Sequence, residues 1–408
     1  MPPRLSRRRK LLLIIVPAVV LVGYATTILV SHASPTSPFA FGVADPTLVG
    51  DTTSAQAAQL TAMKSIGITS VRVDADWSWV QPTGPTTFYW TAIDQEVQAI
   101  RSAGLTPDLI IDDCPQWAAS PSAAGQPFPQ PASAKLYATW AAQVAARYGP
   151  KGTTYFEIWN EPNTEGSWAP KPNPAAYTAD LIAAYAAIKK VDPTGFVISG
   201  GLAPAANTAT TYSPITFLQD MYLDGAKGSF NALGFHPYSF PAAPDTYEPW
   251  SAWSQMDETT PSIRSVMIGN GDSSKQIWIT EYGAPTTGPS SVSQAEQSTE
   301  LSQALTYSEQ NNWIGALYIY TWEDIPGLPA TDSGYGLLDD NGNPKPAYNA
   351  VVAGLGNVAS NSRVGTKLAA PDTPRRPSAD GRLRREAKAR IDRPLQDLRA
   401  DACGTQVL

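Results

Sequence analysis

Eight short apolar runs recur between residues 39 and 324, and stretches with the spacing of amphipathic helices lie between them. The predicted strands are residues 39–44, 70–77, 107–114, 155–163, 195–201, 232–239, 276–283 and 315–324. The predicted helices are residues 53–66, 91–103, 133–148, 175–190, 214–226, 258–269, 293–312 and 346–354. Regular alternation of strand and helix favours an α/β fold with a parallel sheet covered by helices. Eight repeats favour a closed (β/α)₈ TIM barrel.

An open, doubly wound sheet is the alternative, and it would carry a glycine-rich phosphate loop after an early strand. The turn after the first predicted strand reads DPTLVGDTTS, which lacks that pattern. The pair Gly200 and Gly201 lacks the third glycine and the helix start that such a loop needs. The sequence therefore favours the barrel and predicts no nucleotide or other cofactor.

The first 34 residues have the composition of an export segment. Residues 1–10 contain five basic residues and no acid, and residues 11–30 contain no charge. Small residues at Ser31 and Ala33 predict a signal peptide that is cleaved after Ala33. An uncleaved membrane anchor through residues 11–30 is the alternative, because that run is about long enough to span a bilayer. Both interpretations place the protein outside the cell or in the cell envelope.

Residues 358–408 are rich in arginine and poor in apolar residues, which predicts a disordered tail. Residues 35–357 are predicted to form a single catalytic domain. Residues 35–360 contain 13 basic and 30 acidic residues, so this body is a poor partner for nucleic acid. We expect a monomer without a nucleic-acid partner.

Histidine and cysteine are too sparse for a metal cluster. The chain has two histidines, His32 and His236, and two cysteines, Cys114 and Cys403. We therefore predict no zinc site or other metal site. Cys114 is interpreted as a small buried residue and not as a nucleophile, and a single disulfide with Cys403 stays an open alternative.

Two glutamates end predicted strands, where the active site of a barrel lies. The fourth strand ends in Asn160 and Glu161 before Pro162, which has no N–H to continue the ladder. The seventh strand ends in Glu281. Cleavage of a glycosidic bond needs one carboxylic acid to protonate the leaving oxygen and a second carboxylate on the other face of the sugar. Aromatic residues at other strand ends suit the apolar faces of sugar rings.

The stretches FEIWNEPN (156–163) and IWITEYGAP (277–285) resemble the signature of the clan A glycoside hydrolases. These are retaining enzymes whose catalytic glutamates lie on strands four and seven of a TIM barrel. The resemblance covers about residues 35–356 and includes SVRVDADWSWVQP and GFHPYS. Within the clan the chain most resembles family 39 and, nearly as well, family 5. Family 5 members often have a histidine at the end of the third strand, where this chain has Cys114.

The resemblance implies a role for each matching residue. Glu161 would be the general acid/base and Glu281 the nucleophile. Asn160 would hold the sugar 2-hydroxyl, while Arg72 and Tyr238 would hydrogen-bond Glu281. Trp322 would be the platform beneath the sugar ring. The predicted substrate-binding residues are Asn160, Arg72, His236, Tyr238, Trp117, Trp322, Trp77 and Tyr282.

Structural roles are the alternatives for several of these residues. Period-two alternation places Glu157, Trp159 and Glu161 on one face of the fourth strand, so that Glu157 becomes a buried charge with Arg72 as its partner. His236 could be a structural histidine. Packing under loops is the alternative for Trp77, Trp79 and Trp168, and loop capping is the interpretation of Asp112 and Asp113.

The sequence as a whole predicts an exported, retaining glycoside hydrolase that acts on a polysaccharide or oligosaccharide. The alternative is a non-catalytic carbohydrate-binding barrel of the cell envelope. Lipase or esterase chemistry is excluded because no G-x-S-x-G motif precedes a helix and His236 is the only candidate base.

Overall fold

The computed structural model describes residues 39–152, 154–325 and 333–362. Eight strands pair in parallel, each with the next along the chain, and the eighth pairs with the first. The strands are β1 (Ala40–Ala44), β2 (Ser70–Asp76), β3 (Thr106–Asp112), β4 (Tyr155–Asn160), β5 (Phe196–Gly201), β6 (Ala232–Phe235), β7 (Gln276–Tyr282) and β8 (Ile314–Tyr320). The predicted (β/α)₈ TIM barrel is confirmed.

Helices connect the strands and cover the outside of the barrel. They are α1 (Thr53–Ser65), α2 (Trp77–Val80), α3 (Thr91–Ser102), α4 (Ala134–Tyr148), α5 (Pro174–Val191), α6 (Pro214–Leu223), α7 (Ala252–Asp257), α8 (Ile263–Gly269), α9 (Gln294–Gln310) and α10 (Pro346–Ser362). Six of them begin after a Ser, Thr or Asn whose side chain accepts a hydrogen bond from an amide of the first turn. Such caps satisfy amides that have no partner within the helix.

The structure corrects three helix predictions. The predicted helix over residues 258–269 is wrong, because α7 ends at Asp257 and α8 begins at Ile263. Pro261 lies between them, and a proline disfavours helical geometry in the residue before it. The short α2 was not predicted; the Asp76 side chain accepts from the Trp79 amide at its start. Helix α10 continues past its predicted end at residue 354.

The strand residues divide between two apolar clusters. Side chains such as Val71, Leu109 and Ile158 belong to the larger cluster, which the helices cover, while Ile198, Trp278 and Tyr318 belong to the smaller one in the barrel interior. Alternation along the strands produces this division. Polar side chains occupy inward positions nearer the carboxyl ends of the strands, where the cavity described below lies.

The backbone at the end of β4 breaks this alternation. Trp159 and Glu161 have positive φ angles of 71° and 45°. The Trp159 side chain packs against Trp168 and Tyr137, on the helix side of the sheet. The prediction that Trp159 shares a face with Glu157 and Glu161 is therefore wrong. Non-glycine residues adopt positive φ at a cost of about 1–3 kcal/mol, and such residues cluster at functional sites.

The predicted export segment (1–34) lies outside the described residues, as does the predicted tail apart from residues 358–362, over which α10 continues. Within the described ranges, no helix combines the length and apolar character needed to cross a bilayer. Cys114 is a buried free thiol, and Cys403 lies outside the described ranges.

Candidate active site

A cavity of about 770 Å³, open mouth included, lies at the carboxyl ends of the strands. Four of the ten predicted site residues line it: Arg72, Asn160, Glu161 and Glu281. Acidic residues and one tyrosine form much of the rest, namely Asp45, Asp74, Asp112, Asp113 and Tyr320. Asp112 and Asp113 thus lie at the cavity, although the sequence suggested loop caps. The size suits a small ligand or part of a longer one.

The two glutamates face each other across this cavity. A carboxylate oxygen of Glu161, at the end of β4, lies within 4.8 Å of one of Glu281 on β7. Retaining glycosidases hold their two carboxyl groups about 5–5.5 Å apart, whereas inverting enzymes leave about 6.5–9.5 Å for a water molecule. The observed separation of these oxygens is shorter than the range of inverting enzymes.

Arg72 joins three strands beneath the cavity. Its Nε donates to Glu157 Oε2 at 2.5 Å and one terminal nitrogen donates to Glu281 Oε1 at 2.5 Å. The other terminal nitrogen donates to Asn160 Oδ1 at 2.8 Å. The planar guanidinium is suited to such divergent, fixed contacts. The contacts that the sequence predicted with Glu281 and with Glu157 are both present, and one side chain makes them together.

Glu281 and Glu161 are held in different surroundings. Glu281 Oε2 accepts from the Tyr238 hydroxyl at 2.9 Å. Burial raises the pKa of Glu281, and the Arg72 guanidinium and the Tyr238 hydroxyl oppose that rise. Burial also raises the pKa of Glu161, and the contact with His236 opposes it. Because only Glu281 of the two accepts directly from the guanidinium, its charged form is stabilised more strongly than that of Glu161.

Glu161 presents one oxygen to the cavity. Its Oε1 lies 3.0 Å from His236 Nδ1. Its Oε2 is buried and has no hydrogen-bond partner among the described residues. A buried polar atom without a partner is uncommon in a folded protein, and at a cavity wall it is placed to meet a ligand. Burial lowers the pKa of His236, which favours the neutral imidazole.

Four predicted aromatic contacts pack against other side chains of the barrel. Trp77 stacks on Trp140, and the Trp117 ring meets Trp77 edge-on. The Tyr282 hydroxyl donates to Glu300 at 3.2 Å. Trp322 is buried against Tyr348 of α10. None of these four is among the residues that line the described cavity, and their contact with a sugar stays a prediction.

Sequence reasoning missed Tyr320 and Thr280. Tyr320 is the last residue of β8 and lines the cavity, whereas Trp322 does not. Its even spacing from the inward-facing Tyr318 could have identified it. Thr280 is buried one residue before Glu281 and bonds both His236 and Glu157. A threonine is ordinary in a strand, so nothing in the sequence singled it out.

Glu161, His236 and Glu281 also form the described group whose ligand atoms are close enough together to hold a metal ion. The only nitrogen ligand in this group, His236 Nδ1, already faces the Glu161 carboxyl group. The absence of a metal cofactor stays a prediction from the sequence.

We expect Arg72→Met to lower the free energy of unfolding by about 3–5 kcal/mol, because it leaves the buried Glu157 and the partly buried Glu281 without their cation. Urea unfolding followed by tryptophan fluorescence measures the change. The control is Arg147→Met, because the Arg147–Asp94 ion pair is about one-third exposed and its loss should cost about 1 kcal/mol or less. Equal losses in the two variants would contradict the importance of the buried pair.

Gly201, the last residue of β5, is expected not to tolerate a side chain. A Cβ atom there would overlap His236 Nε2 and lie 2.7 Å from Thr280 Oγ1. We expect Gly201→Ala to lower stability by about 1–3 kcal/mol and to move His236. Thermal unfolding measures the first effect and histidine NMR the second. Gly269→Ala is the matched control, since a Cβ at that position meets no atom within 4 Å.

Comparison with known proteins agrees with this geometry. Residues 34–323 match the family described as cellulase, glycosyl hydrolase family 5. No curated protein matches the chain. Three similar solved structures share the fold.

A family 39 glycoside hydrolase from Bacteroides cellulosilyticus has a TM-score of 0.62 and 22% identity, over 79% of this chain and 64% of that one. A monomeric β-xylosidase from Caulobacter crescentus has a TM-score of 0.58 and 20% identity, over 78% and 67% of the two chains. A GH5_18 protein from Streptomyces cattleya, solved with GlcNAc, has a TM-score of 0.58 and 17% identity, over 83% of each chain.

This chain thus spans just under two thirds of the family 39 structure, and at these identities the three structures establish the fold alone. The family match covers more than half of the chain and confirms the resemblance to clan A, within which the sequence favoured family 39 slightly over family 5. The chain belongs to glycosyl hydrolase family 5, the cellulase family, which is a family of glycosidases.

Proposed function

We propose that this protein is a retaining glycoside hydrolase that cleaves a polysaccharide or oligosaccharide by double displacement. The observation that carries the proposal is the pair formed by the buried Glu161 and the partly buried Glu281, which have carboxylate oxygens within 4.8 Å of each other at one cavity. Their different partners support different roles. Glu281, which accepts from Arg72 and Tyr238, is the proposed nucleophile, and Glu161 is the proposed general acid/base.

In the first step Glu161 gives its proton to the glycosidic oxygen. The Glu281 carboxylate forms a bond to the anomeric carbon as the bond to the leaving oxygen breaks. In the second step Glu161 takes a proton from water, the water oxygen attacks the anomeric carbon, and the ester bond to Glu281 breaks. The proton that Glu161 loses in the first step is thus recovered in the second.

Asn160 and Tyr320 are the proposed sugar contacts. Asn160 Oδ1 accepts from Arg72, which fixes the orientation of the amide and leaves its NH₂ group to donate to the sugar 2-hydroxyl. Tyr320 is the aromatic residue that lines the cavity from β8, and we assign it the platform role beneath the ring.

A polysaccharide panel tests this function. The full chain is incubated with glucans, xylan, mannan and cell-envelope material, and reducing ends and product lengths are recorded. ¹H NMR of the first product should show retained anomeric configuration. An inverted first product would contradict the mechanism. Tight binding without release of reducing ends would support the non-catalytic carbohydrate-binding barrel instead.

We also propose that the protein is exported. The support is the sequence of residues 1–30, in which a basic stretch precedes an uncharged run. Cell fractionation and N-terminal sequencing of the mature protein test it. A chain that begins at Ser34 would indicate a cleaved signal peptide, whereas an intact chain in the membrane fraction would indicate the anchor.

A further inference from the structure

A continuous chain of hydrogen bonds runs from Glu157 to Glu161 inside the barrel. Glu157 Oε1 lies 3.0 Å from the Thr280 hydroxyl, and Thr280 Oγ1 lies 3.0 Å from His236 Nε2. His236 Nδ1 in turn lies 3.0 Å from Glu161 Oε1. All four side chains are buried. The chain ends at the carboxyl group that is the proposed general acid/base.

The groups around Glu157 fix the direction of these bonds. The Gly201 amide donates to its Oε1 at 2.8 Å, and Arg72 Nε donates to its Oε2 at 2.5 Å. An amide N–H and a guanidinium can only donate, so both oxygens of Glu157 are acceptors. The Thr280 hydroxyl, which has one hydrogen, therefore gives that hydrogen to Glu157.

The single hydrogen of Thr280 then determines the tautomer of His236. Since Thr280 Oγ1 donates to Glu157, it must accept from His236, and Nε2 must carry a proton. The other ring nitrogen, Nδ1, faces Glu161 Oε1. One proton lies between those two atoms, because two bare lone pairs would repel each other and two hydrogens would collide. The proton belongs either to Glu161 or, as an imidazolium, to His236.

Burial decides between the two states. The neutral pair, with the proton on Glu161, places no charge in the buried site, whereas the other state creates an imidazolium and a carboxylate there. Burial raises the pKa of Glu161 and lowers that of His236. The other charged groups that face the pair are Arg72 on β2, Glu157 on β4 and Glu281 on β7.

From this geometry we propose that Thr280 is a positioning residue for catalysis: held as a donor by Glu157, it keeps His236 in the Nε2–H tautomer, so that resting Glu161 is a carboxylic acid whose O–H faces His236 Nδ1. A turn of the carboxyl group then presents that O–H to the leaving oxygen in the cavity. The inference rests on the proposed function for its catalytic meaning. The assignment of the His236 tautomer does not depend on the proposed function.

The same arrangement serves the second step. After Glu161 has given up its proton, its carboxylate faces the bare Nδ1 of His236, which offers no hydrogen to stabilise the negative charge. A carboxylate without such a donor is a stronger base. Glu161 is then disposed to recover a proton from the attacking water.

Histidine NMR on the full chain tests the tautomer. His236 and His32 are the only histidines, so His32→Gln leaves a single imidazole to observe in ¹⁵N-histidine-labelled protein. At neutral pH we expect Nε2 to have the ¹⁵N chemical shift of a protonated imidazole nitrogen and Nδ1 that of an unprotonated one. Protonated-type shifts on both nitrogens, or on Nδ1 alone, would overturn the proposal. This measurement needs no substrate, so it stands even if the polysaccharide panel shows no hydrolysis.

Removal of the Thr280 hydroxyl tests whether it sets the tautomer of His236. In Thr280→Val the ring is free to adopt the Nδ1–H tautomer, which donates to Glu161 and favours its carboxylate. We expect the Nδ1 shift to become protonated-type and the alkaline limb of kcat/KM to move down by about one pH unit. The activity is measured on the p-nitrophenyl glycoside of the sugar that the panel identifies.

Two further variants complete the test. Thr280→Ser keeps the hydroxyl and should restore the wild-type tautomer and pH profile. Thr178→Val removes a buried threonine hydroxyl on α5 that has no hydrogen-bond partner among the described residues. This variant should change neither the His236 tautomer nor the pH profile. An unchanged tautomer in Thr280→Val would overturn the proposal. If Thr280→Val does not fold, the wild-type spectrum and Thr280→Ser decide the question.

Discussion

Glu281→Gln is expected to abolish hydrolysis of every glycoside, with kcat/KM reduced by at least about 10⁴-fold. The substitution replaces the proposed nucleophile by an amide of the same shape, so no covalent intermediate can form, however good the leaving group is. Initial rates on aryl glycosides with leaving groups of different pKa measure the loss. The amide should also keep the contacts with Arg72 and Tyr238 in part, so the variant should stay folded.

Glu165→Gln is the matched control for this prediction. Glu165 lies four residues after Glu161 and is exposed, so the same chemical change there should leave the rate unaltered. If Glu281→Gln retained wild-type rates on activated substrates, Glu281 would not be the nucleophile and the double-displacement mechanism would be wrong.

Glu161→Gln is expected to have an effect that depends on the leaving group. Glycosides with poor leaving groups need the proton that Glu161 supplies, so kcat/KM on them should fall by about 10²–10⁴-fold. Activated aryl glycosides leave without protonation, and kcat/KM on them should fall far less. Their kcat should fall more than their kcat/KM, since Glu161 is also the base for the second step.

The pH dependence gives a second measurement of the same role. In the wild type Glu161 must be protonated for the first step, so kcat/KM should decline as the pH rises through its raised pKa. The glutamine cannot titrate, and the variant should lose that alkaline limb. Equal losses on good and poor leaving groups, with the alkaline limb retained, would show that Glu161 is not the acid.

The sequence predicted the barrel well because each strand is a short apolar run between turn residues. It predicted strand ends less well. The sixth strand was predicted to residue 239 but β6 ends at Phe235, and the eighth was predicted to residue 324 but β8 ends at Tyr320. The residues beyond these ends are still aromatic or apolar because they surround the site or pack beside it. Composition cannot separate them from the strands.

The candidate site was predictable where a motif marks it. Glu161, Asn160 and Glu281 belong to the quoted stretches, and the structure brings all three to the cavity. The aromatic platform was less predictable. Tyr320 and Trp322 are two residues apart, so alternation along a strand would place both on the same face, but β8 ends at Tyr320. Thr280 acts through the direction of a single hydroxyl hydrogen, which depends on partners from distant strands and leaves no trace in the local sequence.

The Arg72 guanidinium holds residues of β4 and β7 from β2 in one plane, inside a closed sheet. Separating these strands near Arg72 would leave its buried charge without partners. The reacting groups are therefore already in position before any sugar binds. Binding energy from the rest of the substrate need not be used to assemble them. Discrimination among different polymers must then come from the loops around the cavity mouth, which can vary without disturbing this rigid centre.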